Sequence, residues 1–113
     1  MDFNKELIKG STETLILSLI KEEPMYGYQI IKELEKKSTG VFLLKEGTLY
    51  PILHGLEEKK VVESFWHKGD NGRKRKYYRL TKRGEEYFKE KQKEWDFFKN
   101  AVDNVLWEGF AWE

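Results

Sequence analysis

The sequence predicts a mainly α-helical fold with one β-hairpin, arranged as a winged helix-turn-helix that continues into a long C-terminal helix. Residues 45–58 carry an apolar stripe at helical spacing, and residues 61–80 alternate as two short strands around a glycine-containing turn. Residues 81–107 keep a nearly heptad apolar repeat. We therefore expect residues 1–80 to form the winged helix-turn-helix and residues 81–113 to form a long helix with an aromatic tail.

Length and composition narrow the possible classes of protein. The chain has 113 residues, enough for one small domain, and is 39% hydrophobic, enough to bury a core. It has no cysteine, so disulfides and thiolate metal sites are excluded, and its two histidines have no ligand spacing. We expect no metal and no cofactor. No apolar run is long enough to span a membrane and no signal-peptide core is present, which predicts a cytoplasmic protein.

The motifs that enzymes carry are also missing from the sequence. No paired nucleophile and base and no phosphate-binding glycine loop appear. The carboxylate pairs Glu57-Glu58 and Glu85-Glu86 lie on charged helix surfaces, where solvation explains them. We therefore predict that the protein is not an enzyme.

The net charge of +1 hides an uneven distribution of charge along the chain. Residues 59–84 carry ten Lys/Arg against two acidic residues, a net charge of +8. Residues 1–58 carry a net charge of −3, and residues 85–113 carry −4. A basic block confined to one segment is typical of contact with nucleic acid.

The first half of the chain is predicted to hold three helices. The first covers residues 5–22 and is weakened at its start by Gly10 and Ser11. A turn at residues 24–27 leads to a second helix over residues 27–37, and residues 41–44 form a short apolar connector. Two short helices joined in this way match the helix-turn-helix layout.

The third helix is the candidate recognition helix. We expect it to start near Gly47, with Thr48 as a capping residue and Pro51 in the first turn, where its missing N–H costs nothing. Leu49, Leu53 and their neighbours would face the core. The opposite face would present polar groups near the helix N-terminus, namely Thr48, Tyr50, Pro51 and His54. An amphipathic helix with a merely solvated outer face shows the same pattern.

The hairpin is predicted to have a basic tip. Residues 61–67 and 73–80 are the strands and residues 68–72 the turn. Arg73 and Arg75 alternate with Lys74 and Lys76, so both faces of the returning strand are positively charged where it begins. Because both faces cannot be buried there, the tip must project into solvent or onto a polyanion. A charged strand edge that only prevents aggregation is the alternative. Tyr77 and Tyr78 are interpreted as packing residues.

The last helix is predicted to be too long for this small domain to cover. Its apolar seam follows heptad spacing and consists of Phe88, Trp95, Phe98, Val102 and Val105. Such a seam favours a homodimer, although folding back onto the first helix of the same chain would also bury part of it. The aromatic tail, residues 107–113, could fray or cap the seam, and the sequence leaves both readings open.

Three segments together resemble the PadR family of bacterial transcriptional regulators. They are STETLILSLIKEEPMYGYQIIKELEKKS, LKEGTLYPILHGLEEKKVVES and GRKRKYYRLTKRGEE. The resemblance covers about Leu7 to Trp107, and the short C-terminal region is similar to the small branch of the family, which includes multidrug-responsive repressors. It implies a winged-helix dimer that binds a palindromic operator in double-stranded DNA.

The resemblance also implies roles for individual residues in DNA binding. Base reading falls to the helix that holds Thr48, Tyr50, Pro51 and His54. Tyr28 and Gln29 would touch the DNA backbone, and Lys45 would meet phosphate. The wing would follow the backbone or enter the minor groove through Arg73, Lys74, Arg75 and Lys76.

The small branch further implies a flat aromatic effector bound at the dimer centre beside a tryptophan, here Trp95. The other walls of the pore would come from Leu7, Gly10, Thr14, Ser18, Gln92 and Lys99. Lys91 and Lys99 place positive charge nearby, which favours an anionic or neutral ligand. In the alternative, Phe97, Phe98 and the aromatic tail fill the space.

These observations predict a dimeric, sequence-specific DNA-binding regulator, a repressor that an aromatic small molecule releases from DNA. A constitutive DNA-binding or architectural protein without an effector is the first alternative. A winged helix used as a protein-interaction module is the second.

Overall fold

The computed structural model describes the backbone of residues 5–112 and the side chains of residues 11–107. Four helices and a small sheet follow one another along the chain, as the sequence predicts. Their bounds are α1 Lys5–Glu22, β1 Met25–Tyr26, α2 Gly27–Lys37, α3 Glu46–Glu58, β2 Val62–Lys68, β3 Lys74–Leu80 and α4 Lys82–Trp112. No helix in the described part of the chain is long and apolar enough to cross a membrane.

One hydrophobic core joins all of these elements. α1 contributes its apolar face, α2 and α3 contribute residues at helical spacing, and the sheet and the start of α4 close the core. The most deeply buried side chains include Ile16, Leu17, Ile30, Leu49, Leu53 and Tyr78. Phe88 of α4 is also buried, so the core includes residues on both sides of residue 80.

The sheet has three strands rather than the predicted two. Residues 24–27 were expected to form only a turn, but Met25 and Tyr26 pair antiparallel with Tyr78 and Tyr77, giving the strand order β1-β3-β2. Met25 is 4% exposed, so its burial and the free edge of β3 favour an extended backbone over a turn. The hairpin strands lie one residue later than predicted at three of their four ends.

The start of α3 differs from the prediction in two respects. Lys45, not Thr48, is the N-cap residue, and its carbonyl accepts hydrogen bonds from the amides of Thr48 (3.0 Å) and Leu49 (2.9 Å). Because the helix begins at Glu46, Pro51 falls in the second turn and leaves the Gly47 carbonyl without its usual helical donor. Gly47 is exposed, so water can satisfy that carbonyl.

The start of α4 confirms the predicted cap at Thr81. The Thr81 hydroxyl oxygen accepts a hydrogen bond from the Gly84 amide at 2.9 Å, and the hydroxyl donates to the Lys60 carbonyl at 2.7 Å. One side chain thus ties α4 to the turn that follows α3. α4 extends past the predicted end at Trp107 to Trp112. The side chains of residues 108–113 lie outside the described residues.

Gly84 is the position where this junction is tightest, which leads to a stability prediction. A methyl group at Gly84 would collide with the Val61 carbonyl and would lie 3.3 Å from Leu80 Cδ2. We expect Gly84→Ala to lower the free energy of unfolding by about 2 kcal/mol, because the backbone must move to relieve the overlap. Urea unfolding followed by circular dichroism measures this change.

Gly55→Ala is the matched control, since nothing lies within 4 Å of a methyl group there. Because Gly55 lies within α3, the Gly55→Ala variant should have a free energy of unfolding equal to that of the parent or up to about 1 kcal/mol above it. An equal loss in both variants would contradict a steric cause at Gly84.

Candidate nucleic-acid interface

The outer face of α3 is exposed. Thr48, Pro51 and His54 are exposed there, as predicted, while Leu49, Leu53 and Leu56 lie buried on the opposite side. Gly47 and Gly55 face open space. The face therefore combines a hydroxyl, an imidazole and two positions without a side chain, and another backbone can approach it closely.

Tyr50 has a position different from the one its sequence pattern predicted. It is half-buried, and its ring lies against the backbone of Gly27 so closely that a methyl group at Gly27 would overlap the phenol. The Tyr50 and His54 rings are 6.4 Å apart. Tyr50 thus joins α3 to the start of α2, and of the four residues predicted to read bases, those with exposed polar side chains are Thr48 and His54.

The residues expected to flank the recognition helix lie at the starts of α2 and α3. Tyr28 is 55% exposed, with the Lys32 ammonium 5.4 Å from its ring centroid. Gln29 is half-buried and Lys45 is exposed. Tyr28 and Lys45 are therefore available to a phosphate backbone, and Gln29 is less so.

A tight turn shapes the tip of the wing, which comprises β2, β3 and the residues between them. The Gly69 amide donates to the Arg73 carbonyl (3.1 Å), and the Gly72 amide donates to the Gly69 carbonyl (2.9 Å). The Asn71 side chain accepts from the Arg73 amide at 3.0 Å. Gly72 has φ +78°, a conformation that glycine adopts without strain. Arg73 is exposed in this turn.

The register of the hairpin divides its side chains between two faces. Lys74 pairs with Lys68, Lys76 with Trp66, and Tyr78 with Ser64. Tyr78 is buried, and the Ser64 hydroxyl donates to Glu57 Oε2 of α3 at 2.9 Å. The face that carries Lys74 and Lys76 is therefore the α3 side of the sheet.

The outer face of the wing holds a cluster of aromatic rings and cations. Phe65 stacks on Tyr77 with ring centroids 5.7 Å apart, and Tyr26 meets Tyr77 edge-on at 5.3 Å. The Arg75 guanidinium lies 4.4 Å from the Tyr26 ring centroid, and that of Arg79 lies 4.6 Å from the Phe65 centroid. Arg75 was predicted to reach DNA beside Lys74 and Lys76, but it lies on the face away from α3 and is engaged by Tyr26.

The cations at the tip of the wing, within residues 68–76, have no carboxylate partner among the described residues. None of the salt bridges formed between described residues uses a cation of residues 68–76. Arg79, by contrast, pairs with Glu63 at 2.8 Å. Near the base of the wing, burial raises the pKa of Tyr78, and Glu57 and Tyr50 raise it further, so the phenol stays neutral beneath α3.

Comparison with known proteins identifies the family. Residues 16–90 match the Transcriptional regulator PadR-like family. The chain belongs to this family. It is also 40% identical to an uncharacterized protein of Lysinibacillus sphaericus over 87% of this chain and 90% of that protein. The transcriptional regulator YqjI of Escherichia coli is 23% identical over 82% of this chain, which spans only 43% of YqjI.

Solved structures of similar proteins show the same fold. A PadR-like transcriptional regulator from Bacillus cereus superposes with a TM-score of 0.80 and 33% identity, covering 89% of this chain and 96% of that one. A transcriptional regulator from Clostridium thermocellum gives a TM-score of 0.79 and 35% identity, covering 88% and 96%. PadR-like proteins are transcriptional regulators and not enzymes, as the sequence predicted for this chain.

In this PadR-like chain, most of the predicted seam on α4 is exposed. Trp95 is 48% exposed, Phe98 60% and Val105 77%, while Val102 is half-buried. Trp95 and Phe98 have ring centroids 6.2 Å apart. Phe88 is 3% exposed and packs in the core of its own chain beneath Lys21, so it anchors α4 and we leave it out of the seam.

Four of the seven predicted effector residues of this PadR-like chain are exposed. Gln92, Trp95 and Lys99 are exposed on α4, whereas Thr14 is half-buried and Ser18 exposed on α1. The Leu7 and Gly10 side chains lie outside the described residues. Lys91 pairs with Glu94 at 3.7 Å and Lys99 with Asp103 at 3.4 Å, so both ammonium groups have a carboxylate partner. The expected preference for an anionic or neutral ligand is therefore weaker than the sequence indicated.

A polar network that sequence reasoning missed joins three helices. The Tyr87 hydroxyl of α4 donates to Glu13 Oε1 of α1 at 2.5 Å, and the Lys59 ammonium, at the end of α3, donates to the Tyr87 oxygen at 3.3 Å. The hydrogen bond to Tyr87 and the nearby Glu13 carboxylate raise the pKa of Lys59. No local pattern marks these residues, because they lie far apart in the chain.

The described residues include no group of three or more His, Cys, Asp or Glu side chains placed to hold a metal ion.

Proposed function

We propose that this PadR-like protein is a dimeric repressor that binds a palindromic DNA operator and is released by a flat aromatic molecule. The observation that carries the DNA-binding part is the shared orientation of two surfaces. Lys74 is exposed on the α3 side of the wing, Lys76 is half-buried on the same face with its ammonium 5.7 Å from the Tyr78 ring centroid, and the outer face of α3 is exposed. Such a protein works in the cytoplasm, where prokaryotic chromosomes lie.

The two surfaces are expected to contact different parts of the DNA. Thr48 and His54 on α3 can hydrogen-bond base edges, and the open positions at Gly47 and Gly55 allow the helix to enter a major groove closely. Lys74, Lys76 and Lys45 supply charge to phosphates, which positions the protein without reading sequence. Tyr28 extends this backbone contact from the start of α2.

A homodimer accounts for the exposed apolar side chains of α4. Trp95, Phe98 and Val105 repeat at heptad spacing on one side of the helix, and Leu106 and Trp107 add apolar surface at its end. A second copy of the chain offers the same stripe, so two-fold pairing would bury both at once. Two recognition helices related by that axis match a palindromic operator.

The proposed effector would bind between the two copies beside Trp95. Trp95 is half-exposed beside Phe98, which leaves a ring face on which a flat molecule can stack. Ligand bound there would favour one spacing of the two α4 helices. If that spacing differs from the one the operator requires, ligand lowers DNA affinity by population shift.

Removing the two wing lysines tests the DNA-binding surface. We expect the Lys74→Ala/Lys76→Ala variant to bind any duplex more weakly and to reduce the slope of log affinity against log salt by about 2, because two phosphate contacts are lost. Fluorescence anisotropy with a labelled duplex of about 30 base pairs, between about 50 and 200 mM salt, measures both quantities. A slope equal to that of the parent would remove the wing from the interface.

The contrasting variant is His54→Ala. Measured against a duplex selected from a random pool by the parent protein, it should lose discrimination over random DNA and keep most of the salt slope. Equal loss on selected and random DNA would argue against base reading by α3.

A charge placed in the seam tests dimerisation. Phe98→Glu should convert the protein to monomers in sedimentation velocity, because an unpaired carboxylate would be buried against the partner. Phe97→Glu is the control, since Phe97 is 79% exposed and lies off the heptad stripe. A dimer that persists in Phe98→Glu would place the interface elsewhere.

Tryptophan fluorescence tests the effector. Titration with a panel of flat aromatic compounds should give saturable quenching in the parent that Trp95→Ala loses, while Trp66 remains as an internal reference emitter. Quenching that survives in Trp95→Ala would place the ligand elsewhere. No quenching by any compound would favour a constitutive regulator.

A further inference from the structure

One exposed aromatic side chain has no role in the surfaces described so far. Trp66 of β2 is 67% exposed. Single exposed apolar residues are ordinary on protein surfaces, so exposure by itself does not indicate a function. Trp66 differs from an ordinary exposed apolar residue in its surroundings.

Strand register puts Trp66 on the α3 side of the wing. Val62, Ser64 and Trp66 alternate along β2 on one face, where Val62 is buried in the core and Ser64 contacts Glu57 of α3. Trp66 lies one pleat further along the same face, about 7 Å nearer the tip. It therefore stands beside α3 on the portion of the wing that projects past the core.

Three lysines share the face of the hairpin that carries Trp66. Lys76 pairs directly with Trp66 across the hairpin, and the next pair toward the tip is Lys68 with Lys74. None of these ammonium groups forms a salt bridge in the part of the chain that the structure describes. The Lys76 ammonium lies 5.7 Å from the Tyr78 ring centroid, which leaves its charge without a carboxylate partner among the described residues. A neutral ring on a face with three such cations is complementary to a polyanion that also has apolar surface, as the sugar-phosphate backbone of DNA does.

We propose that Trp66 packs its indole ring against the sugar-phosphate backbone of duplex DNA beside the recognition helix, with its N–H donated to a phosphate oxygen. The proposal rests on the DNA-binding function above and adds a residue that provides apolar contact where the lysines provide charge. Because indole is neutral, its contribution should not depend on the release of counterions.

The test separates apolar contact from charge. In anisotropy titrations with a random duplex of about 30 base pairs, Trp66→Ala should bind about tenfold more weakly at every salt concentration, with a salt slope equal to that of the parent. Lys76→Ala should instead reduce the slope by about 1. Trp66→Phe, which keeps a ring and loses the N–H, should fall between the parent and Trp66→Ala.

His67→Ala is the matched control for the face of the strand. His67 is the next residue of β2, is exposed, and lies on the outer face with its ring 5.5 Å from that of Tyr77. The His67→Ala variant should bind DNA with the affinity of the parent. Equal weakening in His67→Ala and Trp66→Ala would indicate general disturbance of the hairpin and would overturn the proposal.

A second measurement uses the parent protein with the conservative Trp66→Phe variant as its blank, and so does not depend on the folding of Trp66→Ala. The emission of Trp66, taken as the difference between the parent and Trp66→Phe, should become several-fold less accessible to iodide when the duplex is added. If the parent binds the duplex and Trp66 stays fully accessible, the assignment of Trp66 fails while DNA binding stands. If Trp66→Ala dissociates the dimer instead, Trp66 contacts protein, and the proposal is likewise overturned.

Failure of the parent protein to bind any duplex at low salt would have a different meaning. It would remove the proposed function itself, and the role of Trp66 with it. Loss of binding only in the lysine variants would retain DNA contact but reject the contribution of the ring.

Discussion

Burial of Tyr78 in the central strand is the constraint on which the geometry of the wing depends. Tyr78 is 1% exposed and pairs with Met25 on one side and Ser64 on the other. Because side chains alternate along a strand, an inward Tyr78 puts Lys74 and Lys76 on the α3 side and Arg75 on the outer face. A slip of one residue would exchange the two sets. The burial of the Tyr78 side chain thus determines which cations lie on the α3 side of the sheet.

The second constraint is the length of α4. Its 31 residues span about 46 Å, in a molecule 62 Å along its longest axis and 32 Å along the next. Among residues 11–107, the α4 residues that meet the core lie in its first turns and are Gly84, Tyr87 and Phe88. Further along the helix, Trp95, Phe98 and Val105 are exposed, and most helical stability in proteins comes from burying an apolar face. The proposed homodimer would bury these side chains.

Elements with a strong apolar period could be predicted from the sequence, and α2 was predicted to the residue, at Gly27–Lys37. Features set by a single tertiary contact could not. β1 has two residues and no period, and it forms because β3 offers an edge. The start of α3 depends on the extended dihedral angles of Lys45, so Thr48 only resembled a cap. In the sequence, Arg75 could not be distinguished from Lys74 and Lys76 because all three are cations. Its position over Tyr26 follows from the strand register, which the structure shows.

The junction at Tyr87 determines how the two halves of the molecule can communicate. In the part of the chain that the structure describes, α4 meets the core in its first turns, so a change on its exposed part would reach α3 through them. There the Tyr87 hydroxyl bonds Glu13 of α1 and receives the Lys59 ammonium from the end of α3. The first of these bonds is short and has a charged acceptor, whereas the second is longer and exposed. In the proposed dimer, a change in the pose of α4 would be transmitted to α3 through these contacts and would alter the spacing of the two recognition helices.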